Sequence, residues 1–157
     1  MNELQPLENW AAALLAQLQP AQRRRLLTDV ARRLRSANAQ RMRAQTDPDG
    51  QAWQPRKPPG PALRSKRERL RQEAQLKKPM FSKLRQAKHL KARAEGGSAV
   101  VEFASRAQRI ARVHHWGEAD AVKPGGPRVQ YPARPLLGIS EADADGLREL
   151  LLDRLLG

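Results

Sequence analysis

Between residues 21 and 95 the chain carries 22 Lys and Arg against six Asp and Glu, an excess of sixteen positive charges. A block with that charge density cannot collapse on itself. It becomes ordered only where apolar side chains recur at a helical period, and elsewhere it stays extended or needs an anionic partner. The flanks differ: residues 1–20 hold Glu3 and Glu8 and no base, and residues 96–157 are neutral, so the net charge of +14 is a property of the middle of the chain. No aromatic side chain interrupts the basic block between Gln54 and Met80. Base stacking on a single strand therefore has no platform, whereas phosphate attraction without base readout does.

The remaining composition narrows the classes further. With 157 residues the chain supports one modest core. It contains no Cys, which removes disulfides, thiolate metal sites and cysteine nucleophiles. The first twenty residues lack the basic start of a secretory signal, and no apolar run approaches the roughly 20 residues that span a bilayer. The reading is a soluble, intracellularly made, strongly basic protein.

Leu4, Leu7, Trp10, Ala11, Leu14, Leu15 and Leu18 recur at helical spacing, which predicts an amphipathic helix ending before Pro20. Pro20 then opens a second helix over residues 21–45, striped by Leu26, Leu27, Val30, Leu34, Ala37 and Met42 and otherwise rich in Arg. Asp47-Pro48-Asp49-Gly50 is a turn that closes it. Residues 51–78 read as an extended, mobile segment with Pro55, Pro58, Pro59 and Pro61, able to form a short helix over 66–75 that is poorly ordered in isolation. One or two helical turns are expected after Pro79, around Met80, Phe81, Leu84 and Ala87. The period then changes to a hairpin: residues 89–94, a Gly96-Gly97 turn, and Ala99-Val100-Val101-Glu102-Phe103. A short helix with Ala107, Ile110, Ala111 and His114 on one face ends at Trp116-Gly117. A Gly/Pro loop and a strand over 128–131 follow, and Ser140 caps a last helix bearing Leu147, Leu150, Leu151 and Leu155.

The expected class is α+β, with N- and C-terminal helices packed on a small antiparallel β-sheet. The expected divisions are N-terminal amphipathic helices over 1–46, a basic Pro-rich mobile segment over 47–79, and an α+β core over 80–157. No nucleotide-binding glycine motif or H-E-x-x-H is present, and Gly125-Gly126 precedes a strand rather than a helix. His114 and His115 are adjacent and point different ways, with only His89 besides, so no metal site is expected. Asp143 and Asp145 belong to an acidic helix start, and no Ser has a base partner. Catalysis and a cofactor are not expected.

Several segments, in order, resemble the phage virion morphogenesis, or tail completion, family of the protein S type found in temperate contractile-tailed phages. They are Leu7-Glu8-Asn9-Trp10, Asp47-Pro48-Asp49-Gly50, Trp53-Gln54-Pro55-Arg56-Lys57 and Met80-Phe81-Ser82-Lys83-Leu84-Arg85, then residues 109–117 (RIARVHHWG) and 131–140 (YPARPLLGIS). The resemblance implies a structural protein without enzymatic activity or cofactor. It implies a ring, commonly six-fold, at the head-proximal end of the tail, in the neck of the virion and in the host cytoplasm during assembly. The implied partners are copies of itself, the tail terminator, the tail tube or sheath and the head connector, with non-specific contact to genomic DNA and no membrane.

The basic residues assigned to an interface or to a DNA-facing lumen are Arg23, Arg24, Arg32, Arg56, Lys57, Arg64, Lys66 and Arg67. The motif residues expected to pack together as a core are Ile110, Ala111, His114, Trp116, Gly117, Tyr131, Pro132, Arg134, Leu137 and Gly138, with Val113 and Leu136. The competing class is a small basic DNA-binding accessory or regulatory protein, although no docking module such as a helix-turn-helix is evident. A small hydrolase is the third, and it lacks an acid/base pair.

Overall fold

The computed structural model describes residues 4–57 and 65–157. Its elements are α1 (Gln5–Leu15), α2 (Pro20–Ala44), α3 (Lys66–Lys77), β1 (Leu90–Glu95), β2 (Ser98–Phe103), α4 (Ser105–Trp116), β3 (Ala119–Ala121), β4 (Arg128–Gln130) and α5 (Glu141–Leu156). The class is α+β with helices at both ends. The strands, however, form two separate antiparallel pairs, β1–β2 and β3–β4, rather than one sheet.

Local chemistry explains most of these boundaries. Pro20 opens α2 where its missing N–H costs nothing, and Gln19 and Gln22 cap it reciprocally. At the other end Gln45 takes the left-handed conformation, φ 60. That strain is offset by its side chain, whose Nε2 donates to the carbonyls of Met42 (2.6 Å) and Met80 (3.0 Å) while its Oε1 accepts from the Met80 N–H (2.7 Å). The hairpin runs in register from Leu90–Phe103 to Glu95–Ser98. Gly96 and Gly97 both have positive φ (55 and 78), as a two-residue turn that follows the strand twist requires. Ser140 and Asp143 form a reciprocal capping box at the start of α5.

Two local readings change. The stretch after Pro79 is a series of tight turns, not a helix, because Phe81 sits at φ 61 and the bonds that follow are of the short kind, such as Leu84 N–H to Phe81 O at 3.0 Å. Strand β3 was not expected. Its Ala-Asp-Ala sequence has no strand preference of its own, and it exists because β4 pairs with it, Ala119 opposite Gln130.

Helix α2 joins two apolar clusters. Its first half packs Leu26, Leu27, Val30 and Leu34 against Leu7 and Leu15 of α1 and Leu147 and Leu151 of α5. Its last turns put Met42 in a second cluster with Trp53, Met80, Leu84, Leu90, Phe103, Ala107, Ala111 and Leu136. Arg35 fastens the hairpin to α2 by donating from Nε to the Leu90 carbonyl at 2.7 Å. Helix α3 contributes no buried residue. It is capped by Ser65 at its start, and Arg56 donates to the carbonyls of Gln75 (2.6 Å) and Lys78 (2.9 Å) at its end.

Candidate assembly surface

The segments with the most recognisable sequence meet in space. Gly117 ends α4 in the left-handed conformation at φ 71, which turns the chain so that residues 131–138 run back along α4. The Arg134 N–H donates to the His114 carbonyl at 2.8 Å, and the Leu136 N–H donates to His115 Nδ1 at 3.1 Å. The His114 ring lies between Phe81 and Tyr131, with centroids 4.9 and 4.6 Å away. Trp53 donates from Nε1 to the Pro135 carbonyl at 3.0 Å. Arg134 is buried, and its guanidinium donates to the carbonyls of Gln54 (2.7 Å) and Pro55 (3.2 Å).

The far end of the segment is held by charge. Arg41 donates to Asp143 Oδ2 at 2.6 Å, to Asn38 Oδ1 at 2.9 Å and to the Gly138 carbonyl at 2.7 Å. The Gly138 N–H returns a bond to Asn38 Oδ1 at 2.9 Å. A Cβ on Gly138 would run into the ring of Pro48. The Asp47–Gly50 turn, Trp53, α4 and residues 131–140 thus form one rigid, polar-stapled unit on the end of α2.

Within that unit Ala111, Val113, Arg134 and Leu136 are buried, and His114, Gly117, Tyr131, Pro132, Leu137 and Gly138 are half-buried. Ile110 and Trp116 are not core residues: they are 51% and 69% exposed. Ala107 and Ala111 form the buried side of α4 instead, and Trp116, nine residues on from Ala107, lies about half a turn round the helix from it. Trp116 borders a groove of about 690 Å³ with Arg109, Arg112, Phe103 and Leu137.

The basic residues divide. Arg23 is structural, donating to the carbonyls of Leu15 (3.0 Å) and Leu18 (3.4 Å) at the end of α1. Arg56 holds the end of α3. Arg24, Arg32, Lys57, Lys66 and Arg67 are exposed, and Arg64 lies outside the described residues. Of the residues that do most of the stapling, Trp53 and His115 lie in motif segments the sequence singled out, whereas Asn38 and Arg41 carried no signal beyond being polar residues on a long basic helix. Among the described residues no His, Asp and Glu side chains gather as a metal site, and no helix is long and apolar enough to cross a membrane.

The two histidines make the unit sensitive to acid. Burial, then the nearby Arg134 guanidinium, hold His114 below the ordinary imidazole value, with Asp120 opposing in part. Burial also lowers His115, whose Nδ1 can accept the Leu136 N–H only while unprotonated. The unfolded chain therefore binds these protons first as pH falls. The stabilisation is complete above about 6.5 and is lost as pH drops through the lower folded-state values. The melting temperature is expected to fall between about pH 7.5 and pH 5.5. His115→Asn, which keeps an acceptor near the Nδ1 position, should flatten that slope. An unchanged slope in this variant would show that His115 does not contribute.

The profile of the phage virion morphogenesis family matches residues 2–156. The chain is 35% identical over 156 residues to the tail completion protein S of Escherichia phage P2, covering 99% of each. No solved structure matches it. With the match running from end to end, and its most recognisable segments forming one unit of the fold, the chain belongs to the phage virion morphogenesis family.

Proposed function

We propose that this protein completes the phage tail as a structural, non-enzymatic subunit. Copies form a closed ring of six at the head-proximal end of the tail, in the neck of the virion. There they contact the tail terminator, the tube or sheath, and the head connector after assembling in the host cytoplasm. The observation that carries the reading is the end-to-end similarity to the P2 tail completion protein. The fold supports it in two ways. A rigid unit presents Ile110 and Trp116 to the outside, and large exposed apolar side chains mark contact surfaces. The exposed bases of α2 and α3 suit a surface beside DNA.

Deleting the gene from the producing phage and imaging the lysate by negative-stain electron microscopy tests this reading. Filled heads separate from tails, or tails of irregular length, are expected. Normal joined particles would overturn it. They would favour the second reading, a basic protein acting on DNA by itself, which the unburied, five-base helix α3 otherwise supports.

A further inference from the structure

Helices α4 and α5 carry outward stripes with the same spacing and opposite chemistry. On α4 the exposed residues Ser105, Arg109, Arg112 and Trp116 fall at i, i+4, i+7 and i+11. On α5 the exposed residues Asp145, Glu149, Leu152 and Leu156 fall at the same four positions, flanked by Asp153 and by Arg148, which pairs with Asp145 at 2.8 Å. Residues so spaced line one face of a helix. Neither stripe is covered within the subunit, and each ends in a large apolar side chain: Trp116 is 69% and Leu156 83% exposed, with Leu152 at 42%.

We propose that the outer face of α4 docks on the outer face of α5 of a second copy of this chain. Set parallel at matched register, Arg109 meets Glu149, Trp116 meets Leu156 and Ser105 lies beside Asp145, while Arg112 falls opposite Leu152 with Glu149 and Asp153 diagonal to it. One arginine meets an opposite charge directly, the other reaches acids diagonally, and indole meets leucine. The antiparallel setting likewise places one arginine, Arg109, on Leu152, but it also sets Trp116 on Asp145 and Ser105 on Leu156, so both apolar ends lose their apolar partner. In the lone subunit Arg109 rests on Asp120 and Arg112 on Glu118. Both are exposed pairs of the kind worth about 0–1 kcal/mol, so re-partnering them costs little. The groove beside Trp116 offers a recess for the end of α5.

Because the two faces differ, each contact leaves a free α4 face on one copy and a free α5 face on the other. Such heterologous pairing continues until it closes as a ring or runs on as a filament. The inference rests on the reading of the protein as a self-assembling subunit and supplies its two contact surfaces.

Sedimentation velocity on the full chain tests it. The wild type is expected to associate with rising concentration. Arg109→Glu with Arg112→Glu on α4, and separately Glu149→Arg with Asp153→Arg on α5, should each leave monomers with an unchanged circular dichroism spectrum. Trp116→Ala should weaken association about 30-fold. Mixing the two charge-reversed proteins should restore association, since each acidic α4 then finds a basic α5 and each basic α4 an acidic α5. A monomeric wild type, an effect confined to one helix, or a mixture that stays monomeric would each overturn the proposal. The particle phenotype of the gene deletion is judged separately. Unjoined heads and tails with a monomeric wild-type protein would sink this pairing and leave tail completion standing, and normal particles with restored mixing would do the reverse.

Discussion

Arg41→Ala is expected to destabilise the fold by about 3 kcal/mol, read as a lowered urea midpoint with little change in slope. The Arg41 and Asp143 side chains are only 15% and 12% exposed. Removing the guanidinium takes a donor from the Asp143 carboxylate, the Gly138 carbonyl and Asn38 Oδ1 at once, although Asn38 Oδ1 keeps the Gly138 N–H. Removing one partner of a buried pair typically costs about 3–5 kcal/mol. The lower end applies here because the Ser140 N–H and the first turn of α5 still stabilise the carboxylate. A second discount is that Arg41 Nε is buried without a partner, so the guanidinium is not held at full value. Against a total stability of about 5–15 kcal/mol the loss is large. Arg41→Lys keeps the charge but not the fork that reaches three acceptors, so it should recover only part of it. A loss below about 1 kcal/mol for the alanine variant would mean that Arg41 does not hold the 131–140 segment to α2.

Gly117→Ala is expected to be at least as damaging, about 3–4 kcal/mol, from two causes that act together. At φ 71 any side chain is strained, by about 1–2 kcal/mol. The added Cβ would also lie 2.6 Å from the Ala133 nitrogen and 3.0 Å from its Cα, and both are backbone atoms that cannot rotate away. Relief requires residues 131–136 to move off α4, which breaks the bonds that the Arg134 and Leu136 N–H groups donate to His114 and His115. Gly97→Ala is the control: its φ is 78, but nothing lies within 4 Å of the new Cβ. It should cost only the conformational strain, about 1–2 kcal/mol. Equal losses in the two variants would show that close approach at Gly117 contributes nothing.

Features set by neighbours in the chain were legible from the residues. The hairpin follows from a change to period two around a Gly-Gly pair, and α2 from an apolar stripe entered at Pro20. The cap of α5 follows from Ser140 with an acid three residues on. Each depends on backbone geometry spanning a few residues. The turns after Pro79 misled because Met80, Phe81 and Leu84 have helical spacing. The left-handed Phe81 that breaks the helix is stabilised from outside, where Gln45 binds both backbone groups of Met80 across 35 residues. Strand β3 was illegible for the same reason, since only its partner makes Ala-Asp-Ala a strand.

The candidate surface divides along the same line. The motif segments are legible in the sequence, but the bulk of Ile110 and Trp116 points to the interior while the fold leaves both exposed. In an isolated helix an indole is the best candidate for burial. In the folded chain α4 turns its Ala107 and Ala111 side inward, and Trp116, about half a turn round the helix from Ala107, is left outside. By itself the sequence determined the helices, the hairpin, their caps and the concentration of charge in the middle, because those depend on propensity, period and local hydrogen bonds. Only the tertiary structure decided that Arg23 and Arg56 close helix ends and that Arg41 staples segments about a hundred residues apart. It also decided which sides of α4 and α5 stay exposed, because each depends on which distant backbone fills the space beside them.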